Sequence, residues 1–208
     1  MKKILGLLFG AFLMFGAGPC VARGDIINGS TIGLASPGST ITFGEIVLPM
    51  NTAITTQYAG LGVSFSPRVF YNPQPWPQWV NNVGNFTFQP RYVDPVTLMF
   101  SSTQTGAAFQ LATDDSPYLF QAFLGGSLVD SFSVPLVGDV GNLYYGFANE
   151  SFDSVVITYE GGGGGPFWLM GNLELSNNNA VVPEPPGLLL LGTGLAGLAG
   201  LLSRKFCL

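Results

Sequence analysis

The sequence predicts an all-β fold: an antiparallel β-sandwich of jelly-roll type, flanked by an N-terminal signal peptide and a C-terminal transmembrane helix. Three observations carry that reading. Short apolar or aromatic runs recur through residues 40–175 with turn residues between them. No stretch of that region combines helical periodicity, helical length and helix caps. Uninterrupted apolar stretches occur instead at residues 4–17 and 187–202, on either side of it. About ten short strands without intervening helices point to sheet packed on sheet.

In chain order, the first element is a leader. Lys2 and Lys3 precede the apolar stretch Ile4 to Ala17, and Cys20-Val21-Ala22 sets small residues where signal peptidase needs them. This predicts a signal peptide over residues 1–22, cleaved after Ala22. Lipidation at Cys20 is the competing outcome, but Pro19 is a poor residue to precede a lipidated cysteine. Residues 23–39 form an N-terminal segment, closing on the turn residues Ser36-Pro37-Gly38.

The domain over residues 40–175 supplies the strands. Strand-like runs fall at Thr40–Leu48, Gly62–Phe65, Asn85–Gln89, Val96–Phe100, Ala107–Ala112, Tyr118–Leu124, Ser127–Val134, Leu143–Ala148, Phe152–Tyr159 and Pro166–Leu175. In Val96-Thr97-Leu98-Met99-Phe100, residues 96, 98 and 100 share one face. Gly125-Gly126 predicts a tight hairpin turn. Asp114 to Pro117 and Gly138 to Gly141 predict further turns. Trp168 belongs to the core. The five glycines 161–165 form a flexible or tightly turning connection, since a phosphate cradle would need a helix after it. Residues 176–182 are a linker, polar at Ser176-Asn177-Asn178-Asn179.

Composition narrows the chemistry. Histidine is absent, and the only cysteines are Cys20 and Cys207, in the two flanking segments. Between residues 23 and 182 stand three basic residues, Arg23, Arg68 and Arg91, against eleven acidic ones, a net charge of −8. Such a surface cannot neutralise phosphates in number, which excludes nucleic acid as a partner and disfavours anionic membrane surfaces. Without histidine, cysteine or a lysine in that region, the usual nucleophile–base pairs and transition-metal ligands are missing, and no enzyme is expected. Carboxylates remain. The neighbours Asp114 and Asp115 sit in a turn and point apart, so they suit a solvated turn better than a catalytic pair, and a carboxylate-dependent hydrolase is the remotest reading. Asn85-Phe86-Thr87 and Asn149-Glu150-Ser151 match the glycosylation pattern.

The tail carries the most specific signal. Val182-Pro183-Glu184-Pro185-Pro186 precedes an apolar run from Gly187 to Leu202, then Ser203-Arg204-Lys205. The prolines hold an extended backbone. The apolar run can enter a bilayer as a helix, and Arg204 and Lys205 stop transfer and stay cytoplasmic. At 1.5 Å per residue the run reaches roughly 24 Å, short of a hydrocarbon core of about 30 Å, which suits a transient anchor. Residues 183–208 in this order resemble the PEP-CTERM sorting signal of Gram-negative bacteria, with Val182 to Pro185 as its motif. The resemblance implies export, transient anchoring in the inner membrane, processing by an exosortase-type enzyme, and delivery to the cell surface or extracellular matrix. An ordinary tail anchor is the alternative.

A second, softer resemblance lies in the middle. Gln57-Tyr58-Ala59-Gly60-Leu61-Gly62-Val63-Ser64-Phe65, the run Val96 to Thr113, and Phe152 to Ile157 resemble segments of secreted bacterial β-sandwich domains. This implies a lectin-like or carbohydrate-module-like fold over roughly residues 40–160, a fold that hosts many functions. Such folds often clamp Ca²⁺ between a first and a last strand, and Glu45 and Asp153 hold roughly those places. No calcium motif accompanies them, and ordinary surface carboxylates are the simpler expectation; otherwise no cofactor is expected.

The candidate binding feature is the stretch Tyr71 to Asn82. Prolines 73, 75 and 77 stiffen it, Trp76, Trp79 and Tyr71 offer aromatic faces, and Asn and Gln offer directional hydrogen bonds. Sugars are recognised by that combination, which makes exopolysaccharide the expected ligand class. The competing reading is a lid whose tryptophans fold inward over the end of the fold. A structural or adhesive envelope protein without a specific ligand is the second functional reading.

Overall fold

The computed structural model describes residues 24–75, 79–85, 94–161 and 167–177. The signal peptide over residues 1–22, the sorting motif and the membrane helix lie outside these residues. The described chain is all-β, with eleven antiparallel strands and one turn of 3₁₀ helix at Ala59–Leu61. Among the described residues no helix is long and apolar enough to cross a membrane.

Two long strands organise everything else. β7 (Val96–Thr113) and β10 (Tyr144–Tyr159) lie side by side, antiparallel, for most of their lengths. Their pairing breaks twice, between Ala148 and Phe152 and between Phe152 and Ser154. Asn149 is left-handed there, with φ 58°, and bulges of this kind bend a strand. The break divides the sheet into two regions.

In one region the first part of β7 pairs with β4 (Val63–Ser66), and the last part of β10 pairs with β8 (Ser116–Leu124), which carries β9 (Ser127–Val137). In the other, the last part of β7 pairs with β11 (Trp168–Ser176), and the first part of β10 with β1 (Asp25–Ser30). The far side of β11 holds β6 (Asn82–Asn85) and, further along, β2 (Ser39–Ile41). β5 (Val69–Asn72) and β3 (Ala53–Ile54) continue outward from β6. The sheet is open; β3 and β9 end its main path.

Alternation places the core. Along β8, Ser116, Tyr118, Phe120 and Ala122 are buried and the residues between them less so, as the period of two requires. Val96, Leu98 and Phe100 are buried on one face of β7 while Met99 is exposed, as the sequence predicts. Rings from the two regions meet: Phe109 lies 5.7 Å from Phe120, Phe120 5.7 Å from Tyr145, and Phe132 5.2 Å from Phe147, centroid to centroid. Such spacings are those at which aromatic pairs attract beyond simple area burial.

Gly125 and Gly126 form the two-residue hairpin between β8 and β9, with Leu124 opposite Ser127. Both glycines have positive φ, 57° and 82°, which is the geometry of a primed turn. The chain differs from its sequence reading elsewhere. The runs 96–100 and 107–112 are one strand, as are 143–148 and 152–159. Only the start of the run Thr40–Leu48 is strand, because the backbone turns left-handed at Phe43 (φ 60°) and drops its ring into the core. β6 covers residues 82–85; of the expected run Asn85–Gln89 only Asn85 falls among the described residues. β1, β3 and β5 have no counterpart in the expected runs, and β1 brings Asp25–Ser30, ahead of the expected domain, into the sheet.

Candidate functional site

The aromatic stretch after β5 is rooted by its own amides. Asn72 Nδ2 donates to Asn82 Oδ1 at 3.2 Å, Gln74 N to Asn72 Oδ1 at 3.0 Å, and Asn82 Nδ2 to the Gln74 carbonyl at 3.1 Å. Asn72 and Asn82 are register partners in the β5–β6 pair, so the loop springs from a closed ladder. Tyr71 belongs to β5 and is 1% exposed; its hydroxyl donates to Asn81 Oδ1 at 3.0 Å. Burial, above all, raises its pKa, with the charge of Glu45 adding to the effect.

Trp79 is 5% exposed. It lies against the outward face of β11, where a methyl group on Gly171 would come within 2.1 Å of the indole. With Phe70, Ala112 and Leu169 it forms a second, smaller apolar cluster. Its Nε1–H donates to Gln110 Oε1 at 2.8 Å, and the same oxygen accepts from Asn172 Nδ2 at 2.9 Å. A sugar platform needs an open ring face, and neither Tyr71 nor Trp79 presents one. The inward-folding reading is where the geometry places Trp79. Trp76 lies outside the described residues. Sequence reasoning missed Gln110, Asn172 and Gly171; the glycine inside a strand otherwise rich in large residues was the available signal for a close approach.

Each calcium candidate accepts hydrogen bonds from its own neighbourhood. Glu45 Oε1 accepts from Thr42 N at 2.7 Å and Thr42 Oγ1 at 2.8 Å, within its own turn. Asp153 Oδ2 accepts from Gly125 N at 2.7 Å and Oδ1 from Ser154 Oγ at 3.0 Å, which ties β10 to the β8–β9 hairpin. Among the described residues no three His, Cys, Asp or Glu side chains gather as a metal site would require. Asp114 Oδ1 accepts from Ser116 Oγ at 2.6 Å, and Asp115 is left-handed at φ 58°, the geometry of a capped turn.

A further concavity of ligand size lies at the bend of β7. It is a groove of about 310 Å³ between the β7 residues Ser101, Ser102 and Gln104, the 3₁₀ turn at Gly60 and Leu61, and the end of β11 at Asn177. Gln104 is 3% exposed and donates from Nε2 to the Ser102 carbonyl at 2.9 Å and Oγ at 3.2 Å. The opposite wall is fixed by backbone bonds, Leu61 N to the Tyr58 carbonyl, Gly62 N to the Ala59 carbonyl, and Ser101 N to the Gly62 carbonyl. No family model, no curated protein and no solved structure matches the chain.

Proposed function

We propose that the chain is an exported, non-enzymatic β-sandwich protein of the cell surface or extracellular matrix, sorted through the segment Val182-Pro183-Glu184-Pro185 by an exosortase-type enzyme after signal peptidase removes residues 1–22. One observation carries the reading: the last described strand of an antiparallel sheet ends at Ser176, and the sequence continues with a polar linker, the proline motif, an apolar run and Arg204-Lys205. The meeting of aromatic rings from the two sheet regions supports the sandwich, with a jelly roll as its finer form. Residues 40–175 and β1 make up the domain, and 176–182 the linker. The inner membrane holds the protein only in transit.

The test is replacement of Pro183, Glu184 and Pro185 together by alanine. The variant should accumulate in the inner membrane at unprocessed length, because the extended motif beside the helix is lost. Release identical to wild type refutes the sorting reading.

Exopolysaccharide is the ligand class consistent with such a destination. With Tyr71 and Trp79 interior, a sugar contact by the loop would fall to Trp76. The burial of those two rings favours a second reading, a structural or adhesive protein with no specific ligand. Affinity electrophoresis of wild type and Trp76→Ala in neutral polysaccharide gels separates the two: retardation lost in the variant supports the loop, and no retardation of either supports the structural role.

A further inference from the structure

We propose that the groove at the bend of β7 is a binding site for a neutral polyhydroxylated ligand, a sugar unit of an uncharged glycan. The inference rests on the groove and is independent of the sorting proposal.

The lining selects the ligand by exclusion. Among the described residues that line it, the polar side chains are hydroxyls and amides, Ser39, Ser101, Ser102, Gln104 and Asn177, with no charged group. An anionic ligand would meet no cation, and a cation would meet no carboxylate. An apolar ligand would strand these groups without hydrogen bonds, at a cost for each. A neutral ligand rich in hydroxyls satisfies them, because hydroxyls and amides both donate and accept. Leu61, 40% exposed, supplies an apolar patch at the wall for the carbon face of a ring. The volume of about 310 Å³ lies at the small end of the roughly 300–1,000 Å³ typical of ligand sites, the scale of a sugar unit or two.

The polar groups are also preorganised. Ser102 Oγ accepts from buried Gln104, so its own proton is left to donate toward the groove. Gln104 is itself anchored to the Ser102 carbonyl, which fixes its orientation. Ser101 and Ser102 are exposed in a strand because they fall where β7 bends, between its paired residues Met99 and Gln104, and β10 offers them no ladder partner. The bend that joins the two sheet regions is thus also the floor of the groove.

Gly60 provides a clean perturbation. A side chain there would stand in open space, with nothing within 4 Å of its first carbon, and the backbone is not in the left-handed region. Gly60→Trp should set an indole at the rim of the groove, in the way of a ligand, without straining the fold.

The experiment titrates the full chain, in the processed form the cell gives it, with neutral glucose, galactose and mannose oligosaccharides, with polygalacturonate as the anionic probe, and with a peptide of residues 176–182. Calorimetry should show saturable binding to at least one neutral oligosaccharide, at least tenfold weaker in Gly60→Trp at unchanged melting temperature, and unchanged in Trp76→Ala. Should Gly60→Trp fail to fold, the pair Ser101→Ala and Ser102→Ala must give the same loss. Absence of saturable binding, equal binding of polygalacturonate, binding of the peptide in place of the sugars, or wild-type affinity in the groove variants each overturns the proposal. Loss on Trp76→Ala alone moves the sugar site to the loop and overturns it as well.

Discussion

Trp79 is held against Gly171, and the two positions together give a test of how the loop after β5 is fixed. Trp79→Ala removes an indole that is 5% exposed and packs with Phe70, Ala112 and Leu169. Truncating a buried tryptophan costs about 3–5 kcal/mol. The lost hydrogen bond adds little, because Gln110 Oε1 keeps its bond from Asn172 at 2.9 Å and is not orphaned; its share is about 1 kcal/mol. For a domain of this size each kcal/mol moves the melting temperature by about 2–4 °C, so the fall should be roughly 6–20 °C. Trp79→Phe keeps most of the packing, loses the N–H, and should cost about a third as much.

Gly171→Ala attacks the same contact from the other side. Its methyl would stand 2.1 Å from the indole Cε2, so the ring must leave its seat, at about 1–3 kcal/mol. In the Trp79→Ala background that seat is empty, and the added methyl should be neutral or slightly stabilising. A double-mutant cycle by thermal and urea melts then gives a coupling on the order of 1–3 kcal/mol. An equal cost of Gly171→Ala in both backgrounds, or a Trp79→Ala melt within a degree or two of wild type, refutes the lid.

Three other outcomes are expected. Burial, then the neighbouring Glu174 carboxylate, pushes the Tyr144 pKa up to about 12, and burial also raises Tyr58, Tyr71, Tyr118 and Tyr145. Since the folded state holds these protons more tightly, the stability they contribute is full below the unfolded tyrosine pKa of about 10 and is lost as pH rises through the folded values. Melts should therefore weaken progressively above that pH, with phenolate absorbance appearing together with unfolding; full phenolate absorbance in a still folded protein contradicts this. Calcium should raise the melting temperature no more than magnesium or sodium chloride does, because Glu45 and Asp153 are each engaged locally; a shift specific to calcium would restore them as ligands. Gly125→Val should destabilise by about 1–2 kcal/mol, since a β-branched residue must adopt φ 57° there, and an unchanged melt would mean the hairpin turn has another form.

The strands that the sequence reveals are those with one wet face. β8 alternates visibly, and the glycine pair between it and β9 announces its turn. The misses share a cause: local polarity reads as a loop even where the sheet carries the chain through. Ser101-Ser102-Thr103 and Asn149-Glu150-Ser151 look like breaks, yet each is the middle of a long strand, polar because the strand bends there and loses its ladder partner. β3 and β5 are short, two and four residues, below the length at which a period of two can be recognised. Tyr71 reads as a loop residue because prolines follow closely, although Val69-Phe70-Tyr71 are all buried in β5. The groove was illegible for a different reason: its walls come from β7, the turn at Gly60 and the end of β11, which only the fold brings together.

The inward position of Trp79 has a signature that a sequence can carry. β7 is buried without alternation from Gly106 to Thr113, so both of its faces are covered there. Phe109 and Leu111 face the main core, and Gln110 and Ala112 face the other way, toward Trp79. Beside Leu169, the partner of Ala112, this face carries only Ala112 on β7 and Gly171 on β11, at the break in the β7–β11 register, and is too shallow there to fill its own surface. Something large has to cover it, or two buried strands would lie open to water at that point. The indole supplies the volume, and Gln110 supplies an acceptor at the depth where the Nε1–H arrives. Small residues on an otherwise apolar strand face, with one amide among them, are therefore a request for an aromatic lid from elsewhere in the chain. Trp79 answers it because Asn72 and Asn82 close the loop at its base and leave the tryptophan within reach of β11.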